Sequence, residues 1–196
     1  LLLKGAVILN TAHPWLQIGR GLLAGTSALL FIIAISVVPI ADAVAVSFIA
    51  PFFVTILGAL VLGEHVGLRR WTAIAVGFVA CLIIIRPGLG VFHPAIILVV
   101  IAAIVYACRQ ILSRILSGSD STITTVSYTG LTASVFLSLP LPFVWRTPVW
   151  GSEILLLLTL AVLAALAEIM VIKALELSQV VVLAPVHYTL LIWGTI

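Results

Sequence analysis

The sequence predicts an all-α, polytopic transmembrane helical bundle, and three observations predict it. Of the 196 residues, 64% are hydrophobic and only 8% are charged, with a mean hydropathy of +1.41, whereas a soluble chain coats itself with about 25% charged residues. The apolar residues gather into stretches free of Asp, Glu, Lys and Arg that approach the roughly 20 residues needed to cross a hydrocarbon core. These stretches are continuous runs of Leu, Ile, Val and Ala, not the alternating segments of about ten residues that build a membrane β-barrel.

In chain order, residues 1–10 form a half-length apolar piece, read as the tail of a helix whose start is missing, with no secretory leader. Seven spans follow. Residues 21–41, 43–63, 87–108, 121–145 and 177–196 carry no ionisable Asp, Glu, Lys or Arg, while 71–85 and 154–167 are shorter and flanked by single charges. Counting crossings places Lys4, Arg20, Arg69, Arg70, Arg109 and Arg114 on one face and only Arg86 and Arg146 on the other. The positive-inside rule makes the six-cation face cytoplasmic. Trp15 and Trp71 at inner ends, and Trp145 and Trp150 at an outer one, suit headgroup depth. The net charge of +3 is the excess expected of loop cations near anionic lipid, and no basic patch with interleaved aromatics calls for nucleic acid. Cys81 and Cys108 both fall in spans, where a small apolar role is expected rather than a disulfide or metal pair.

The chain carries a weak internal repeat. An offset of 134 residues lays Ala50-Pro51 on Ala184-Pro185, Thr55 on Thr189 and Asp42 on Glu176. Five crossings lie between the copies, and an odd number orients them oppositely, as in the inverted repeats of many secondary transporters.

Several motifs resemble one family. They are Gly19-Arg20-Gly21 opening a helix, Pro39-Ile40-Ala41-Asp42-Ala43, Phe48-Ile49-Ala50-Pro51-Phe52-Phe53-Val54 and Leu62-Gly63-Glu64. Arg69-Arg70-Trp71, Val76-Gly77-Phe78 and Arg86-Pro87-Gly88 extend them, as do the late Ala184-Pro185, Tyr188 and Trp193. Together they resemble the EamA-type transporters of the drug/metabolite transporter superfamily. The resemblance covers nearly the whole chain and implies two inverted five-helix repeats, residues 1–90 and 91–196, the first incomplete at its start and the second at its end. On that plan the chain begins late in the second helix and ends within the ninth, giving about seven full spans and a partial one.

Candidate solute contacts follow from the repeat. Pro51 and Pro185 each remove a backbone donor inside a span, so they either pack as kinks or line a midplane cavity. Phe48, Thr55, His187, Tyr188 and Trp193 would surround them with aromatic faces and a few hydrogen-bonding groups. Glu168 is a carboxylate within an apolar helix, which costs several kcal/mol unless it is paired, protonated or wet. It is read either as a proton-coupling group in an interior pocket or as one half of a static pair that holds its helix in register. Blander readings cover the other charges. Lys173 and Glu176 pair at helical spacing, Asp42 caps a helix start, and Glu64 fixes the loop that holds His65, Arg69 and Arg70. Arg109 snorkels to the headgroups while Tyr106 anchors at the interface, although an anionic solute would give Arg109 a second role.

The expected activity is transport of a small metabolite, such as an amino acid, an organic cation or a vitamin, by alternating access. The alternative is a helical membrane scaffold or partner-binding subunit that moves nothing. Enzyme activity is not expected: His13, His65, His93 and His187 form no His-x-x-x-His or Glu-x-x-His pair. No catalytic residue, metal ligand or cofactor is assigned. The partners are a small-molecule solute and the lipid bilayer, with room for a homodimer, in the inner (plasma) membrane of a bacterium.

Overall fold

A computed structural model describes residues 10–85, 93–145, 147 and 151–189. The chain folds into helices α1 (Pro14–Ile35), α2 (Ile40–Ser47), α3 (Ala50–Leu62), α4 (Leu68–Ile85), α5 (Ile96–Leu116), α6 (Thr122–Ser138), α7 (Leu141–Val144), α8 (Ser152–Leu177) and α9 (Val180–Leu183). A 3-10 segment, Ala184–Thr189, follows directly. No strand occurs among the described residues. Among the described residues, four helices are long and apolar enough to cross a membrane: α1, α2 and α3 taken together, α5, and Glu153–Leu177. The protein is an integral, multi-pass membrane protein.

Local chemistry sets the boundaries. Pro14 opens α1, where its missing N–H goes unmissed. Ser121 caps α6 by accepting the Thr124 N–H at 3.1 Å. Gly63, at φ 66°, closes α3 in the left-handed conformation that glycine adopts without a Cβ penalty. The span over residues 43–63 is broken at Phe48–Ile49, between α2 and α3. Phe48 and Ile49 keep right-handed helical φ/ψ there, and their N–H groups bond to the Ala45 and Val46 carbonyls, so Pro51 in the first turn of α3 sits just past a local interruption of a span that runs from Ile40 to Leu62. Ala184-Pro185 opens the 3-10 segment where α9 stops.

The helices run past the expected windows at the end that gathers the cations. The window 21–41 becomes Pro14–Ile35, and 87–108 becomes Ile96–Leu116, with 87–92 outside the described residues. Those windows excluded every charge, whereas Gln17, Arg20, Arg109 and Arg114 lie inside helices and bond to protein groups. The last window, 177–196, begins as α9 and the 3-10 segment, with 190–196 outside the described residues.

Close approaches hold the bundle together. A Cβ on Gly21 would lie 2.6 Å from the Thr132 Cβ, so α1 and α6 touch backbone to side chain, as small residues allow in lipid. A Cβ on Gly77 would lie 2.4 Å from the Tyr188 ring. One apolar core joins Phe48, Val54, Ile74, Ala107, Ile111, Leu175, Val180, Ala184 and Tyr188. The two interrupted segments meet in it: Phe48 stacks on Tyr188 with centroids 5.8 Å apart, and the Tyr188 hydroxyl donates to the Phe48 carbonyl at 3.1 Å.

Candidate functional site

A buried polar centre lies where α1, α5, α6 and α8 converge. Arg20, fully buried, engages all three guanidinium nitrogens there. Its Nε donates to the Ser113 hydroxyl at 2.6 Å, its Nη1 to the Thr129 hydroxyl and its Nη2 to Glu168 Oε1 at 2.5 Å. Arg109 approaches the same carboxylate from α5, its Nη1 lying 3.1 Å from each Glu168 oxygen. Glu168 thus faces the interior as half of a double ion pair. Of its two sequence readings, this geometry matches the pair that holds a helix in register. The pairing explains how a carboxylate is tolerated in α8, because an unpaired charge at that depth would cost several kcal/mol.

The network continues toward the second interrupted segment. The Arg109 guanidinium lies over the Tyr106 ring, 5.0 Å from its centroid. Gln110 Nε2 donates to the Tyr106 hydroxyl at 2.9 Å, and that hydroxyl lies 2.8 Å from His187 Nε2. Arg109 and Tyr106 are therefore not the headgroup anchors expected from their place near a helix end, because each finds a polar partner inside the bundle. Four buried polar atoms have no hydrogen-bond partner among the described residues: Gln17 Oε1 on α1, Thr55 Oγ1 on α3, and Arg109 Nε and Gln110 Oε1 on α5.

The remaining sequence candidates are distributed as follows. Phe48, Pro51 and Thr55 are buried on or beside α3, Tyr188 is buried opposite them, and Pro185 and His187 are half-buried. Trp193 lies outside the described residues, as do Lys4, Arg86, Arg146 and Trp150. Asp42 falls in the first turn of α2, whose cap position is Pro39. Cys108 is a free thiol, and nothing is described of the Cys81 side chain. No three His, Cys, Asp or Glu side chains converge on a metal-sized site among the described residues.

A second polar region closes one end of the bundle. Glu64 accepts the backbone N–H groups of Val180 (3.2 Å) and Val181 (3.0 Å) and lies 4.0 Å from Arg114 Nε. Glu64 therefore pins α3 to α9 instead of pairing with Arg69 or Arg70 in its own loop. Arg114 donates to the Leu175 carbonyl at 2.6 Å, and Lys173 pairs with Glu176 at 2.6 Å as its spacing predicts. Leu62, Glu64, His65, Arg114, Glu176 and Gln179 line a cavity of about 560 Å³ at this end. Asp120, between α5 and α6, receives the Thr11 hydroxyl, Gln17 Nε2 at 2.7 Å and the Ala12 N–H at 3.3 Å. Partial burial pushes its carboxyl up, but the three donors outweigh it and hold the group below its ordinary value. Arg69, Arg70, Arg114 and Lys173 thus share one end with these contacts, while Arg20 and Arg109 lie deeper and serve the ion-pair centre.

Residues 1–86 match the EamA-like transporter family, and an S-adenosylmethionine uptake transporter of Rickettsia felis is 30% identical over 98% of this chain. Over residues 1–86 the chain is similar to the EamA-like transporter family. It spans 65% of the length of that Rickettsia protein. A riboflavin transporter of Vibrio cholerae is 38% identical over 70% of the chain and 46% of its own length. A pseudopaline exporter of Pseudomonas aeruginosa is 24% identical over 94% of the chain and 65% of its own length. One solved crystal structure matches 99% of this chain and 71% of its own with a TM-score of 0.76 at 20% identity, a likeness of fold. Family and relatives alike are transporters rather than enzymes.

Sequence reasoning missed the partners of Glu168 and the reach of Glu64. A signal for the first was present: Gln17 and Arg20 lie three apart on α1, and Arg109 and Ser113 lie four apart on α5, each marking a polar stripe on an otherwise apolar helix. No local pattern marked Glu64, because its acceptor role depends on a chain segment more than a hundred residues away.

Proposed function

We propose that the protein carries a small metabolite across the inner membrane of a bacterium by alternating access. The solute site lies between α3, α5 and the 3-10 segment. The observation that carries this reading is the set of unpartnered buried polar atoms on facing helices, Thr55 Oγ1 on α3 with Gln110 Oε1 and Arg109 Nε on α5. Buried polar groups are nearly always hydrogen-bonded, so a cluster of exceptions marks where another molecule completes the set. Phe48, Pro51, Pro185, His187 and Tyr188 border that region, and Trp193 belongs to the same proposal by sequence. Glu168 serves there as the fixed counter-ion of two arginines rather than as a contact that comes and goes.

The two interrupted segments support an inverted repeat of residues 1–90 and 91–196. Both Ala-Pro pairs sit where the helical hydrogen-bond pattern changes, Ala50-Pro51 at the start of α3 and Ala184-Pro185 at the 3-10 segment that continues α9, and discontinuous helices bear the solute sites of many transporters. The relatives suggest two solute classes, the amino-acid sulfonium S-adenosylmethionine and the flavin riboflavin. The cation-rich end, with Arg69, Arg70, Arg114 and Lys173, faces the cytoplasm. The test is uptake and efflux by vesicles carrying the full-length protein against a metabolite panel that includes both compounds. Saturable movement of one of them supports the reading, and a panel-wide absence of movement refutes it.

A further inference from the structure

We infer that the transported solute carries a free carboxylate, and that the Nε–Nη2 edge of the Arg109 guanidinium is the fork that receives it. The inference rests on the transport reading above and narrows its solute class.

The argument begins with a charge count. The chain has six acidic residues, all of them described: Asp42, Glu64, Asp120, Glu153, Glu168 and Glu176. Only Glu168 reaches the interior arginines. Glu64 is held by Arg114 and the start of α9, Asp120 by Thr11 and Gln17, and Glu176 by Lys173 and Thr122. Glu153 opens α8, about 22 Å along the helix from Glu168 at 1.5 Å per residue. Asp42 lies in the first turn of α2, next to Ala43, which packs with Val99. Val99 is about 15 Å along α5 from Arg109 on the same rise. Arg20 and Arg109 therefore share a single carboxylate, and one positive charge inside the bundle has no counter-charge in the chain.

The two arginines differ in what they have left to give. Arg20 bonds through Nε, Nη1 and Nη2. Arg109 contacts both Glu168 oxygens through Nη1 alone, and its Nε is buried without a partner among the described residues. The unused edge of a guanidinium presents two parallel N–H groups at carboxylate spacing. A monoanion neutralises an excess of one charge, whereas a phosphate dianion would overshoot it. The Tyr106 ring against the guanidinium fixes its plane, and Gln110, 2% exposed, offers an unpaired carbonyl oxygen one residue along to the N–H groups of the same solute.

The test uses the purified full-length protein in lipid nanodiscs and calorimetric binding of S-adenosylmethionine beside decarboxylated S-adenosylmethionine, which lacks only the carboxylate. The inference expects the intact compound to bind about ten- to a hundred-fold tighter. It expects inorganic phosphate at matched ionic strength to displace neither compound. Arg109→Lys keeps the charge and loses the fork, so the ratio should fall to a few-fold. If the lysine variant does not fold, the charge-neutral Arg109→Gln/Glu168→Gln pair takes its place. Equal binding of the two compounds by the wild-type protein, or an undiminished ratio in a folded variant, overturns the inference. Binding and transport of riboflavin with no binding of S-adenosylmethionine also overturns it while leaving the transport reading standing. Failure of the reconstituted protein to bind or move any solute removes the transport reading and the inference together.

Discussion

Helices α5 and α8 are both long apolar spans that meet at Glu168, yet they solve the membrane problem in opposite ways. On α8, Leu155, Leu156, Leu158 and Leu160 are each at least 60% exposed, and its inward contacts concentrate near Glu168, Ile172 and Leu175. On α5, Val99, Ala103, Ala107, Gln110 and Ser113 are buried, and Arg109 is partly buried. In water such a contrast would mark α8 as misfolded. In lipid it teaches that exposed leucine costs nothing, and that the orientation of a helix is set by its few polar residues, each of which must find a partner inside.

The comparison breaks hardest at Arg20. Arg20→Ala strips Glu168 of one cation and leaves Ser113 and Thr129 without their buried donor, so stability should fall by about 3–5 kcal/mol. Thermal unfolding of the purified protein reads the loss, and an unchanged midpoint would contradict the role of the ion-pair centre in holding α1 to α8. Gly77→Ala should follow at about 1–3 kcal/mol, because its Cβ would strike the Tyr188 ring at 2.4 Å. Gly19→Ala, inside α1 with nothing within 4 Å, is its control and should hold or gain up to about 1 kcal/mol.

Much of the fold was legible because lipid makes hydropathy decisive. Continuous apolar runs pointed to the helical bundle, although seven spans were expected and four helices among the described residues are long and apolar enough to cross. Helix limits near the cations were not legible, since Arg20 and Arg109 read as interface residues until their partners on other helices are known. The site was half visible. Glu168 stood out by cost alone and Ala50-Pro51 by its repeat, but the pairing of Glu168 with Arg20, 148 residues away in sequence, leaves no local trace.

Smaller effects sharpen the contrast between the ends and the middle of the bundle. Asp120 has a carboxyl held below its ordinary value, so its contribution is present above the usual carboxylate range near pH 4 and is lost as pH falls through and below it. Asp120→Asn should flatten the acid limb of the stability profile and leave neutral-pH transport intact. Leu157→Ala, on the exposed face of α8, should change stability by no more than about 0.5 kcal/mol.

The measurement closest to the central claim is the pH profile of transport by Glu168→Gln in the full-length protein, read beside its thermal stability. Glutamine keeps the shape and hydrogen-bonding capacity of the side chain but removes the charge that Arg20 and Arg109 share. If Glu168 is a fixed counter-ion, the variant loses stability while the pH dependence of its remaining transport matches wild type. A variant as stable as wild type whose transport no longer responds to pH would contradict that account and make Glu168 a proton-coupling residue.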